Sequence, residues 1–288
     1  MSRGGTLGVL ALTGCLVCGL TACGAEGGAA DGRVEVVVTS YPLAYVADEV
    51  GGDRVEVTNL TPAGGDSHGL ELSPRDVVTL EAADVVVHLS GGLQPAVDEA
   101  LDQQDPERLV DAAPLADRAE DPHFWLDPVR LAGLADQVSD GLAAADPDHA
   151  DEYAAGAERL TASLQELDAR YREVLAPCEG ATLLASHEAF GYLADRYGLR
   201  QIGVAGVDPH VEVSPARLRR VADEVRGTGA RTVFFEAAAG PGVAGTLAAE
   251  LGLGTGVLHP VERVADGETY PELMAANLEA LRSGLVCA

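Results

Sequence analysis

Between residues 148 and 175 the chain has no proline and a single glycine, Gly156, and its apolar side chains Tyr153, Ala157, Leu160, Leu164, Leu167, Tyr171 and Val174 recur at steps of four and three. That spacing lays one continuous apolar stripe along a helix. At about 1.5 Å per residue the helix is about 40 Å long, the length of a whole small domain. A coiled-coil dimer would use a similar stripe. However, Asp148, Asp151, Glu152 and Glu158 cluster without balancing charges, and the repeat stops after about three heptads. The segment 147–177 therefore reads as a linking helix that lies across the molecule and joins two lobes.

On both sides of this rod, short β-branched runs alternate with helical segments. Before it, strands are expected at 34–38, 55–60 and 84–89 and helices at 43–50, from Ser73-Pro74 onward, and from Asp127-Pro128 to about 145. Ser73 is placed to cap its helix, with Pro74 at the first position and Asp76 closing a capping box. After the rod, strands are expected at 181–185, 232–235 and 256–258, with helices at 188–197, from Ser214-Pro215, and at 270–283. Alternation of this kind predicts an α/β fold, two lobes with mostly parallel sheets. The lobes would be residues 34–146 and 178–288.

The N-terminus belongs to neither lobe. Ser2-Arg3 precedes an apolar run from Leu7 to Leu20, too short for a comfortable span, which reads as an export signal covering 1–22. It ends in Leu20-Thr21-Ala22-Cys23, the form of a lipoprotein cleavage box, so Cys23 is the candidate for lipidation and 23–33 a flexible tether. Of the five cysteines, Cys15 and Cys18 leave with the signal, and Cys178 and Cys287 remain as a candidate disulfide. The expected location is the cell membrane, lipid-anchored on its extracytoplasmic face.

A formal charge of -27 repels nucleic acid and anionic lipid headgroups, and the absence of lysine removes Schiff-base and phosphate-loop chemistry. The Cys-x-x-Cys pair Cys15 and Cys18 falls in the export signal, which leaves no such pair for a zinc ribbon in the mature chain, and there is no His-Glu-x-x-His for a metalloprotease. What remains is histidine. His68, His123, His187 and His259 each fall just past an expected strand or just before an expected helix, where ligands gather in open α/β sheets, two in each half. They can meet only if the lobes face each other. His88, His149 and His210 read as structural.

The surroundings of these histidines carry a resemblance. The blocks Asp66-Ser67-His68-Gly69-Leu70-Glu71-Leu72-Ser73-Pro74, Asp121-Pro122-His123-Phe124-Trp125-Leu126-Asp127-Pro128 and Ser186-His187-Glu188-Ala189-Phe190-Gly191, with the cleavage box and the long helix, resemble the solute-binding lipoproteins of zinc and manganese ABC importers. The resemblance covers essentially all of the mature chain. It implies a fold of two lobes on a rigid helical spine, metal ligation by His68, His123 and His187, delivery to an ABC permease, and a monomer.

That family's fourth ligand is usually a carboxylate near the last strand, and the corresponding residue here is His259 in Leu258-His259-Pro260. A four-histidine shell suits Zn2+ better than Mn2+. Three histidines with water, or with a carboxylate such as Glu188 or Glu236, would serve as well. Asp66, Asp127, Glu212 and Glu236 are candidates to accept the second ring N–H of a ligating histidine. The expected function is capture and delivery of zinc without catalysis, with release through rearrangement near the His187 or His259 loops. The competing readings are a manganese-specific member, a zinc-binding adhesin or metallochaperone, and an exported zinc hydrolase.

Overall fold

The computed structural model describes residues 32–118, 121–237 and 239–287, together with Met1 and Gly4. Cys23 and the expected tether up to residue 31 lie outside the described residues, as does the expected signal segment apart from Met1 and Gly4. Among the described residues no helix is long and apolar enough to cross a membrane.

Among the described residues, eight short strands form two parallel sheets. The first contains β1 (Val34–Val38), β2 (Val55–Asn59), β3 (Val85–His88) and β4 (Leu109–Asp111) in the order β2-β1-β3-β4. The second contains β5 (Thr182–Ala185), β6 (Arg200–Gly203), β7 (Thr232–Phe235) and β8 (Gly254–Val257) in the order β6-β5-β7-β8. The two orders are the same, so the halves repeat one topology. Helices α1 (Tyr41–Gly51), α2 (Pro74–Ala82) and α3 (Pro95–Leu101) serve the first sheet, and α6 (Gly191–Arg196), α7 (Pro215–Val225) and α8 (Gly242–Leu251) the second. Between them run α4 (Pro128–Ala145) and the long α5 (Ala150–Leu175), and α9 (Tyr270–Gly284) closes the fold.

Strand alternation divides the apolar residues between the two faces of each sheet. Val36, Val38, Val85 and Val87 face a central core that also holds Leu183, Ala185, Tyr153, Leu160, Leu164 and Tyr171. Val37 and Val86 turn to an outer cluster with Leu80 and Val97. Leu184 likewise joins Ile202 and Val233 in a cluster on the outer side of the second lobe. The central core thus runs unbroken from one lobe through α5 to the other.

Gly156 explains the lone glycine of α5. A Cβ there would stand 2.2 Å from the carbonyl oxygen of Val50, so its absence lets α1 lie directly against the spine. The far end of α5 is stapled to the C-terminus, where Cys178 and Cys287 form a disulfide with their Cα atoms 4.1 Å apart. Ser73 and Asp76 form the expected capping box on α2.

Strands β4 and β6 and helices α3 and α8 were not anticipated. β4 and β6 have only three and four residues and carry Asp111 and Arg200 at their ends. Pairing with an already formed parallel neighbour, rather than an apolar pattern of their own, makes them strands.

Candidate metal centre

The block from Asp121 to Pro128 is built as a bracket. Asp121 accepts the backbone N–H of His123 at 3.1 Å and lies 2.8 Å from its Nδ1, which turns Nε2 inward. Trp125, fully buried, donates its indole N–H to the carbonyl of Pro260 at 2.7 Å, and Tyr270 donates its hydroxyl to the carbonyl of Trp125. Asp127 caps α4 through the backbone N–H of Val129 and pairs with Arg196 of α6 at 3.0 Å. Each polar residue of the motif therefore ties the first lobe to its own backbone or to the second lobe. Gly191 permits the close fit, because a Cβ there would meet Asp121 Oδ2 at 2.7 Å.

Opposite His123 stands Glu262, which the sequence reading did not select. Its Oε1 lies 2.6 Å from His123 Nε2 and its Oε2 3.2 Å from His68 Nε2. The ligating atoms of His68, His123 and Glu262 all lie within 4.8 Å of one another. His68 Nε2, His123 Nε2 and Glu262 Oε1 are wholly buried, yet none makes a hydrogen bond of acceptable angle. Ligand atoms around tetrahedral zinc sit about 3.3 Å apart, given bonds of about 2.0 Å, so the spacing fits one ion.

His187 adjoins this group. Its ring meets that of His123 edge-on with centroids 5.6 Å apart, and its Nδ1 lies 2.8 Å from Glu236 Oε1. Burial alone would pull the pKa of His123 down, but Glu262 and Asp121 outweigh it and raise the pKa to about 9. Burial pushes Glu262 up, yet His123 and His68 hold it well below the ordinary carboxylate range.

His259 does not reach the cluster. Its backbone N–H donates to Asn277 Oδ1 and its carbonyl accepts from Asn277 Nδ2, both at 2.7 Å, and the residue lines a separate groove with Thr232, Thr255 and Glu279. After it the chain reverses at Val261, whose φ of 61° is the left-handed conformation that β-branched residues rarely adopt. This turn, stored at a cost of about 1–3 kcal/mol, aims Glu262 rather than His259 inward.

Of the expected supporting carboxylates, Glu236 alone stands against the ring of an expected ligand, His187. Asp66 accepts the backbone N–H of His68 at 2.9 Å, Asp127 is the helix cap, and Glu212 is exposed at the rim of the cleft between the lobes. The supporting residue missed was Asp121. A signal for it existed, because Asp66-Ser67-His68, Asp121-Pro122-His123 and Asp208-Pro209-His210 all form the same turn, with aspartate accepting the histidine N–H at 2.9, 3.1 and 2.8 Å.

Glu188 is engaged by Arg217 at 2.7 Å. Gly65-Asp66-Ser67-His68-Gly69 has the spelling of a hydrolase nucleophile elbow, but Ser67 lies in mid-loop between β2 and α2 and contacts Glu262 at 3.4 Å. The cleft above His68 measures about 1070 Å3 and opens between Gly91-Gly92 of one lobe and Ala205-Gly206 of the other.

A family model described as ZnuA, zinc-uptake complex component A, periplasmic, matches residues 36–284. The zinc-binding lipoprotein AdcA of Streptococcus pneumoniae is 31% identical over 280 residues, 88% of this chain and 56% of that protein. The high-affinity zinc uptake system protein ZnuA of Bacillus subtilis is 28% identical over 311 residues, 97% of each chain. This chain spans about half the length of the first curated relatives it matches. Among solved structures, the laminin-binding protein Lmb of Streptococcus agalactiae, described as having adhesin and metal transporting activity, superposes with a TM-score of 0.80 at 30% identity, covering 87% of this chain and 99% of that one. The Zn(II)-bound ZnuA-like domain of S. pneumoniae AdcA gives 0.76 at 32% identity, covering 88% and 99%.

Proposed function

This chain belongs to the ZnuA family of periplasmic zinc-uptake components, and from that premise we propose that it captures one Zn2+ between its lobes and delivers it to an ABC permease. The observation that carries the reading is the trio of buried nitrogen and oxygen atoms, from His68, His123 and Glu262, that have no hydrogen bond and lie within 4.8 Å of one another. With His187 beside them, the shell is three imidazoles and one carboxylate. A nitrogen-rich tetrahedral set of this kind is a zinc set, whereas manganese takes more carboxylate and water oxygen. A fourth histidine is therefore not needed for zinc to be preferred.

The charges fit a divalent cation. Glu262 contributes one negative charge directly, and Asp121 and Glu236 stand behind His123 and His187 to strengthen them as donors. Capture replaces hydration water by ligands already oriented, which is where affinity arises, and no bond is made or broken in the cargo. The role is that of a binding component rather than an enzyme. Cys23 is the attachment point to the extracytoplasmic face of the membrane, and the chain acts as a monomer.

The test is metal analysis of protein prepared without a histidine tag, followed by competition between zinc and manganese. One zinc per chain, retained against manganese, is expected. His123→Ala and Glu262→Gln should each weaken zinc binding by at least about a hundredfold, in line with loss of a directly bound ligand. A Glu262→Gln variant with native affinity would remove the carboxylate from the shell. Cys23→Ser should shift the protein from the membrane fraction to the medium. A second reading, adhesion to extracellular matrix, is favoured by the likeness to the S. agalactiae protein, and binding of the zinc-loaded chain to immobilised laminin tests it.

A further inference from the structure

We propose that Asp66, Arg263 and His210 form a latch across the lobes that sets how fast the captured ion leaves. The inference rests on the zinc site read above and concerns residues that position His68 without touching the metal.

An ion held by these ligands is enclosed, since the side chains of His123, Glu262 and His68 are 0%, 5% and 8% exposed. It can leave only if a ligand-bearing segment moves. Three of the four segments are anchored. His123 sits in the Trp125 bracket, His187 follows β5 directly, and Glu262 lies between the Pro260 carbonyl gripped by Trp125 and the α9 helix whose Asn277 grips His259. The 259 loop, one of the two expected to move on release, is thus pinned at both backbone groups. His68 lies in a connection without regular structure, from the end of β2 at Asn59 to the start of α2 at Pro74, that none of these anchors holds.

Asp66 is the hub that holds this connection shut. It accepts the backbone N–H of His68, pairs with Arg263, the residue next to Glu262, and lies 2.8 Å from Nε2 of His210. Arg263 and His210 both belong to the second lobe, so the two partners draw the His68 loop onto the lobe that carries Glu262. Nearby ties, from Gly64 N–H to the Val264 carbonyl and from Gln94 to the Ser67 carbonyl, hold the chain on either side of Asp66. Asp66, Arg263 and His210 are 14%, 23% and 56% exposed, so the cluster runs from the site to the surface. An ion pair at such a rim can open without disturbing the core, and each charge-assisted bond lost shifts the opening equilibrium about tenfold.

The experiment is stopped-flow release from the zinc-loaded full chain into excess chromophoric chelator, with association measured separately. Asp66→Asn and Arg263→Gln should release zinc about tenfold faster or more, His210→Gln about threefold faster, with one zinc per chain and native association rates retained. Because the residues act as one unit, the Asp66→Asn/Arg263→Gln double variant should be no faster than the faster single variant. His210 is mostly exposed, so its variant decides if the others fail to fold. Release within about twofold of native in all three, with one zinc still bound, overturns the latch alone. So does a variant that binds no zinc, since the residue would then be needed to form the site. A native chain that binds no zinc overturns the capture reading itself.

Discussion

In the proposed zinc site a proton and the metal ion compete for the same atom, Nε2 of His123. Because the pKa of His123 is raised to about 9 by Glu262 and Asp121, zinc entering at pH 7 to 8 must displace a proton from it. Calorimetry in buffers of different ionisation enthalpy should report release of about one proton, and zinc affinity should rise with pH until about 9. The effect on folding has the opposite sign. With an unfolded pKa of about 6.5, the His123 contribution to stability of the metal-free chain is complete below that value and fades as pH rises through about 9. The Glu262 contribution is complete above about 4.3, its unfolded value, and is lost only as pH falls through its depressed folded value. Melting of the metal-free chain across pH 4 to 10 should therefore show the pair's support largest between about 4.3 and 6.5. His259→Ala should leave zinc affinity unchanged, because its ring lines a different groove. His68, His123 and His187 were legible from their flanking motifs, whereas Glu262 was not. Which of His259 and Glu262 faces inward depends on the left-handed turn at Val261, and a valine carries no local signal for such a turn.

At the scale of elements, the long helix was readable because its stripe is periodic, and its one glycine had a reason that periodicity cannot express. Gly156→Ala gains about 1 kcal/mol of helix propensity, but the new Cβ would stand 2.2 Å from the Val50 carbonyl and force α1 off the spine. Net destabilisation of about 1–3 kcal/mol is expected, measurable as a lower denaturant midpoint. At the other end of α5, the Cys178–Cys287 bond closes a loop spanning 109 residues. A loop of that length is worth about 4–5 kcal/mol in the unfolded chain, so replacing both cysteines by serine should lower the melting temperature by about 10 °C. Strands with a β-branched run of their own, such as β1, β3 and β7, were foreseen. β4 and β6 were not, because neighbouring strands supply what their short sequences lack.

The whole molecule is a frame more than a hinge. One core passes through both lobes, and Tyr270 of the C-terminal helix stacks on Tyr45 of α1 with centroids 4.9 Å apart. Arg196 of α6 bonds both Asp127 at the head of α4 and Asp168 on α5, at 3.0 and 2.7 Å. A frame cross-braced in this way resists rigid-body closure, so the radius of gyration from small-angle scattering should be the same, within error, before and after zinc. By itself the sequence determined the periodic and the local: two α/β halves, one helical spine, capped helix starts, and three histidines set in recognisable blocks, because each of these is written within a few turns of chain. The tertiary structure alone brought Glu262 beside His68 and His123, set Asp121 and Glu236 against the rings of His123 and His187, and joined Asp66 to Arg263 and His210. Those contacts depend on atoms as many as 197 residues apart, such as Asp66 and Arg263, which become neighbours only after the halves have packed against one helix.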